Sequence, residues 1–141
     1  MNKLIETLAA LNLSGADTKI TRLDENTFKL KSDYGYNDGY FQYDVHYYDW
    51  MTAEVSVDGV IFSATRNSGS DFWNGGELSE ERVVNFGDPE WKLPNEAKEA
   101  VLKNEEKILA LRVGEFVEFD RDGNGKIEYV TASTGRIGLQ K

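Results

Sequence analysis

The sequence predicts an α+β fold: a mainly antiparallel sheet of about five to seven strands, with an N-terminal helix and a longer helix near 94–112. Three observations carry this. Apolar residues recur at helical spacing near the start and again after Pro94, much of the chain between them alternates with a period of two, and no strand–helix alternation of the parallel kind appears. With 141 residues the chain fits one domain, 1–141, able to bury roughly 70% of its unfolded surface without a metal or crosslink.

Each element follows from local chemistry. Leu4, Leu8 and Leu11 share a helical face over residues 3–13, and Ser14-Gly15 supplies a stop. "TKITRLDENTFKLKS" reads as a hairpin with Leu23 facing Phe28 across "DENT". A Gly-punctuated loop then leads to "YFQYDVHYYD", an alternating strand over 40–50, followed by "TAEVSV", the turn Asp58-Gly59 and "VIFSATR". Asp-Gly between alternating segments is the strongest hairpin signal in the chain. Residues 67–93 have little periodicity and read as a long connection with one or two helical turns at "SEERVV". From Pro94, Ala97, Val101, Ile108 and Leu111 share a helical face that Asn104 interrupts, and "GEFVEF" and "KIEYVTAS" close the fold as a hairpin.

Composition narrows the function classes. The net charge of −9 repels phosphate backbones and anionic lipid, which disfavours direct binding of nucleic acid or membrane. The absence of cysteine removes disulfides, thiolate nucleophiles, zinc–thiolate sites and iron–sulfur clusters. Glu6 interrupts the apolar residues at the N-terminus, so this segment reads as part of the fold rather than as a signal peptide. No apolar run is long enough for a membrane span, and the expected location is the cytoplasm.

One segment has motif-like spacing. "DRDGNGKIEYVT", residues 120–131, resembles the calcium loop of an EF-hand, with Asp120, Asp122 and Asn124 at the oxygen-donor positions and Gly125 at the sharp turn. The twelfth position is Thr131, which lacks the bidentate carboxylate, and the β-branched residues that follow do not continue as a helix. A tight hairpin turn without a specific cation is the expected reading, with weak calcium binding by Asp120, Asp122 and Asn124 as the alternative.

The segment least like an average sequence is "YGYNDGYFQYDVHYYDW", which holds six of the seven tyrosines. Alternation along 40–50 puts Phe41, Tyr43, Val45 and Tyr47 on a core-facing side, and Tyr40, Gln42, Asp44, His46 and Tyr48 on the other, with Trp50 near its end. Between Lys31 and Arg66 there is no lysine or arginine, while Asp33, Asp38, Asp44, Asp49, Glu54 and Asp58 fall in the interval. Tyrosine and tryptophan carry much of the energy of recognition surfaces, and carboxylates beside them favour a basic partner.

Catalysis has thinner support. His46 is the single histidine and Asp44 lies two residues away on the same strand, but no nucleophile elbow or oxyanion hole accompanies them. Neither "WNGG" nor "DGNGK" has phosphate-loop spacing.

The sequence therefore predicts a non-catalytic acidic protein that binds a basic partner protein through the lysine-free region 32–65, with Tyr40, Asp44, His46, Tyr48, Asp49 and Trp50, extended by Asp71, Phe72, Trp73 and Glu77. One concrete form is an inhibitor that presents carboxylates and aromatic rings in place of phosphates and bases. In charge and size the chain resembles the small acidic proteins of phage and mobile-element defence. The alternative is a small-ligand or carbohydrate-binding module in which tyrosines and Trp50 or Trp73 stack on rings and the 67–93 segment closes the site. The aromatic face is equally suited to a homodimer contact.

Overall fold

The computed structural model describes the backbone of residues 2–13, 16–40, 43–72, 78–94, 99–121 and 127–133, and their side chains except those of 36–40, 43–46, 71–72, 78–80, 99–100, 121 and 127–133. Helix α1 (Lys3–Leu11) begins where the Asn2 side chain accepts a hydrogen bond from the Ile5 N–H at 3.1 Å, satisfying one of the helix's orphan donors. Its apolar stripe of Leu4, Ile5, Leu8, Ala9 and Leu11 is buried.

Seven strands follow: β1 (Asp17–Arg22), β2 (Thr27–Tyr40), β3 (Tyr43–Ser56), β4 (Ile61–Phe72), β5 (Leu78–Asn85), β6 (Phe116–Arg121) and β7 (Ile127–Ser133). They form one antiparallel sheet in the order β5-β4-β3-β2-β1-β6-β7. Strands β1 to β5 meander outward by hairpins. The helical segment after β5 returns the chain, so that β6 pairs with the free edge of β1.

The helices cover one face of the sheet, here the inner face. Ile20, Phe28, Leu30, Met51, Ala53, Val55, Val117 and Phe119 meet the α1 stripe together with Val101, Ile108 and Leu111. At the exit of α1, buried Asn12, Thr18 and Ser32 satisfy one another: Thr18 Oγ1 lies 2.9 Å from Ser32 Oγ and hydrogen-bonds to Asn12 Oδ1, and Ser32 Oγ accepts from the Leu13 N–H at 3.1 Å. Ser14 and Gly15, read as the helix stop, lie outside the described residues.

Several sequence expectations change here. The helix expected near 94–112 is divided into α2 (Glu99–Lys103) and α3 (Glu105–Leu109) at Asn104, whose backbone leaves the helical region at φ −114° and ψ 26°. Asparagine competes for its own backbone hydrogen bonds, which favours a break at this position. In the first hairpin Phe28 pairs with Arg22 rather than Leu23. The turn closes through Leu23 N–H to Thr27 O at 2.8 Å, leaving Leu23 exposed and setting the Arg22 guanidinium 5.4 Å over the Phe28 ring.

The Asp58-Gly59 turn forms as expected. Gly59 has φ +85°, and a Cβ there would lie 2.6 Å from Lys3 O, so both conformation and space require glycine.

The larger differences concern sheet length. The Gly-punctuated stretch before Tyr40 is strand, so β2 and β3 are 14 residues each and extend about 46 Å at the usual rise. Residues 67–93 are mostly the β4–β5 hairpin, and "SEERVV" belongs to edge strand β5 instead of a helical turn. The pairing of Asn67 with Val83 and Ser68 with Arg82 overrides the weak helical preference of the glutamates. The core cluster on β2–β4 lies at the Phe28–Leu30, Met51–Val55 and Ala64 end, and beyond it the hairpins project as an arm.

Candidate functional site: a two-faced sheet arm

Register assigns every position of the arm to a face. On the outer face, away from the helices, one row across the strands reads Asp17, Asp33, Trp50, Asn67, Val83. The next reads Gly35, Tyr48, Gly69, Glu81, and the one beyond it Asn37, His46, Asp71, Leu78, followed by Gly39 opposite Asp44. From β2 to β5 these positions contain Asp33, Asp44, Asp71 and Glu81 but no lysine or arginine.

Trp50 is 45% exposed, whereas Tyr48 is only 8% exposed on the same uncovered face. Glycine on both neighbouring strands explains the difference. With Gly35 and Gly69 bare at its flanks, the Tyr48 ring settles onto the sheet, and Trp50 leans on it with centroids 4.9 Å apart and planes at 31°.

The acceptors around Trp50 share one character. Asp17 and Asp33 are exposed and directly opposite each other, an arrangement that repels. Asn67 Nδ2 donates to Glu81 Oε2 at 3.2 Å, leaving the shielded Asn67 Oδ1 with no hydrogen-bond partner. The Glu81 contact fixes the amide orientation, since a flip would set oxygen against carboxylate. Toward the core end the outer face turns basic, with Lys31 paired to Lys19, whose Nζ lies 4.3 Å above the Phe116 ring.

The inner face of the arm differs. Asp49 accepts from Arg66 Nε at 2.9 Å and from Nη2 at 2.6 Å, a bidentate pair with both side chains partly shielded. The Asp49 hydrogen bonds hold the Arg66 guanidinium above its ordinary pKa. Asp49 therefore faces away from Tyr48 and Trp50, and its charge is matched.

Beside this pair a cleft of about 490 Å³ is lined by Arg66, Ser68, Arg82, Val84 and the turn Pro89–Lys92. Trp91 is placed in that turn by its N–H to Asp88 O at 3.0 Å and by edge-on contact with Phe86, centroids 5.8 Å apart.

The residues singled out in the sequence are thus distributed over two faces. Asp44, His46, Tyr48 and Trp50 occupy outer-face positions. Tyr40 ends β2 opposite Tyr43, so the strand expected over 40–50 is instead the meeting of two strands, and Tyr40, Asp49 and Phe72 fall in inner-face rows. Phe41, Gln42, Trp73 and Glu77 lie outside the described residues.

In the hairpin β6–β7, Asp120 pairs with Tyr129 and Thr131 with Glu118, so the residues after the turn continue as strand. Asp122 and Asn124 lie outside the described residues. Among the described residues no group of three or more His, Asp or Glu is placed to hold a metal ion, and no helix is long and apolar enough to cross a membrane.

Asp17, Asp33, Asn67 and Glu81 were not distinguished as binding residues by sequence alone. Asp33 lies in the lysine-free interval, but only the register puts Asp17 and Asn67 in the Trp50 row and Glu81 in the Tyr48 row. No protein-family model, curated protein or solved structure matches the chain, so function is argued from this geometry.

Proposed function

We propose that the chain is a non-catalytic interaction protein that binds a basic partner protein through the outer face of the arm, with Trp50 as anchor. The observation that carries this reading is the exposed Trp50 ring, set directly opposite the exposed Asp33 carboxylate on the outer face. On the other side of Trp50 stands Asn67, whose amide donates to the Glu81 carboxylate. A lysine or arginine from a partner that lies over Trp50 meets the Asp33 carboxylate beside it and offsets the repulsion between Asp33 and Asp17.

An inhibitor that occupies the nucleic-acid site of its target fits this chemistry. Its carboxylates stand where phosphates bind, and Trp50 stacks where a base does. Tyr48 contributes by stiffening the platform, because its ring is already packed into the sheet. The reading is consistent with the placement of His46, which needs no catalytic role within it.

The test is affinity capture from source cells with three baits: wild type, Asp33→Lys/Trp50→Ala, and Glu106→Lys as a charge control on exposed α3. A basic protein retained by wild type and the control, but lost with the double variant, supports the reading. Equal recovery by all three baits contradicts it.

A further inference from the structure

We infer that the inner-face cleft is a second, independent site, which takes a small ligand carrying one anionic group and a planar ring. The sequence pattern points away from it, because the chain as a whole is acidic and the tryptophan concerned lies in a turn. Its location follows from register: Arg66 and Arg82, the two arginines described in the strands of the arm, both occupy inner-face positions, whereas the acidic row occupies the other face.

The lining divides the work. Arg66 is held rigid by its bidentate contact with Asp49, which uses Nε and Nη2 and leaves Nη1 outside that pair. Arg82 and Lys92 are exposed, and neither forms an ion pair among the described residues. Glu90 also lines the cleft. With Arg66 and Asp49 matched, Arg82, Lys92 and Glu90 leave an excess of one positive charge, which suits one anionic group rather than a polyanion.

Trp91 supplies the flat surface. It is partly buried against the core and braced edge-on by Phe86, so its ring does not have to be ordered when a ligand arrives. A volume of about 490 Å³ is within the range of small-molecule sites. A second depression, of about 450 Å³, shares Ser68 and Arg82 with the cleft and is lined further by Tyr47, Gly69, Ser70 and the Glu81 carboxylate, so it suits an uncharged extension of the ligand rather than a second anionic group.

The probe is adenosine 5′-monophosphate, which combines a planar ring with an anion. Adenosine and inorganic phosphate test each part alone. Binding is followed on the full chain by amide and indole NMR signals. The inference expects saturable shifts at Ser68, Arg82 and the Trp91 indole, at least about tenfold weaker binding of adenosine and of phosphate, and loss of the shifts in Arg82→Gln/Lys92→Gln.

Both substituted side chains are exposed, so an unchanged spectrum elsewhere certifies the fold of the double variant. Trp50→Ala must retain the shifts, which separates this site from the outer face. Absence of shifts at about 10 mM nucleotide, shifts that persist in the double variant, or phosphate binding as tightly as the nucleotide would each overturn the inference.

Discussion

Tyr48 and Trp50 stack on one face of one strand with centroids 4.9 Å apart, yet Tyr48 is 8% exposed and Trp50 45%. Their roles therefore separate. Tyr48→Ala uncovers the backbone at Gly35 and Gly69 and should cost about 2–4 kcal/mol of stability, near the range for large aromatic truncations. Trp50→Ala should cost less than about 1 kcal/mol and act on partner binding instead. Denaturant unfolding of the two variants checks the contrast, and equal destabilisation would show that the ring pair is structural throughout.

The Asp49–Arg66 pair is bidentate but lies partly in solvent. A double-mutant cycle with Asp49→Asn and Arg66→Gln should give a coupling of about 1 kcal/mol, decreasing as salt is added. Because the pair faces inward, Asp49→Asn should leave partner affinity within about twofold of wild type. A large loss of binding would place Asp49 in the recognition surface.

Ser32 is the hub of the buried polar group at the end of α1. Ser32→Ala removes the acceptor for the Leu13 N–H and a partner of Thr18, and should destabilise by about 1–3 kcal/mol, the cost of leaving buried polar groups unpaired. Thermal unfolding measures this. Faster hydrogen exchange at the Leu13 amide distinguishes the lost hydrogen bond from a packing defect.

Asp24 gives a pH signature. The Asn26 N–H donates to its Oδ1 at 2.8 Å, and this hydrogen bond is the main cause of a carboxyl pKa below the ordinary value. A depressed folded pKa stabilises above the unfolded pKa, and that contribution is lost as pH falls through the folded value. Asp24→Ala should therefore lower Tm at pH 6 and approach wild type at an acidic pH below the folded carboxyl's pKa. An equal deficit at both values would refute the link to ionisation.

The order of elements and the antiparallel class were legible in the sequence because they rest on local periodicity and on the Asp58-Gly59 turn. The extent of the arm was not. Gly35 and Gly69 read as loop residues, and only a cross-strand tyrosine makes them good strand positions, a relation between residues distant in sequence. Part of the candidate surface was visible as the lysine-free interval, and His46, Tyr48 and Trp50 were assigned to one side by simple alternation. Tyr40 and Phe72 lie in the opposite rows because their faces depend on where one strand ends and how the next is registered. Asn67 and Glu81 carry no local signal, since their interest comes from their places in the Trp50 and Tyr48 rows.

The measurement that tests the outer face most directly is the affinity of the captured basic partner for wild type, Asp33→Lys and Glu106→Lys at low and moderate salt. The account predicts that Asp33→Lys weakens binding at least about tenfold at low salt, equivalent to about 1.4 kcal/mol. Glu106→Lys, with the same change in net charge, should stay within about threefold, and wild-type affinity should fall steeply as salt rises. Equal affinities for the two variants would show that net charge rather than this face governs binding, contradicting the account.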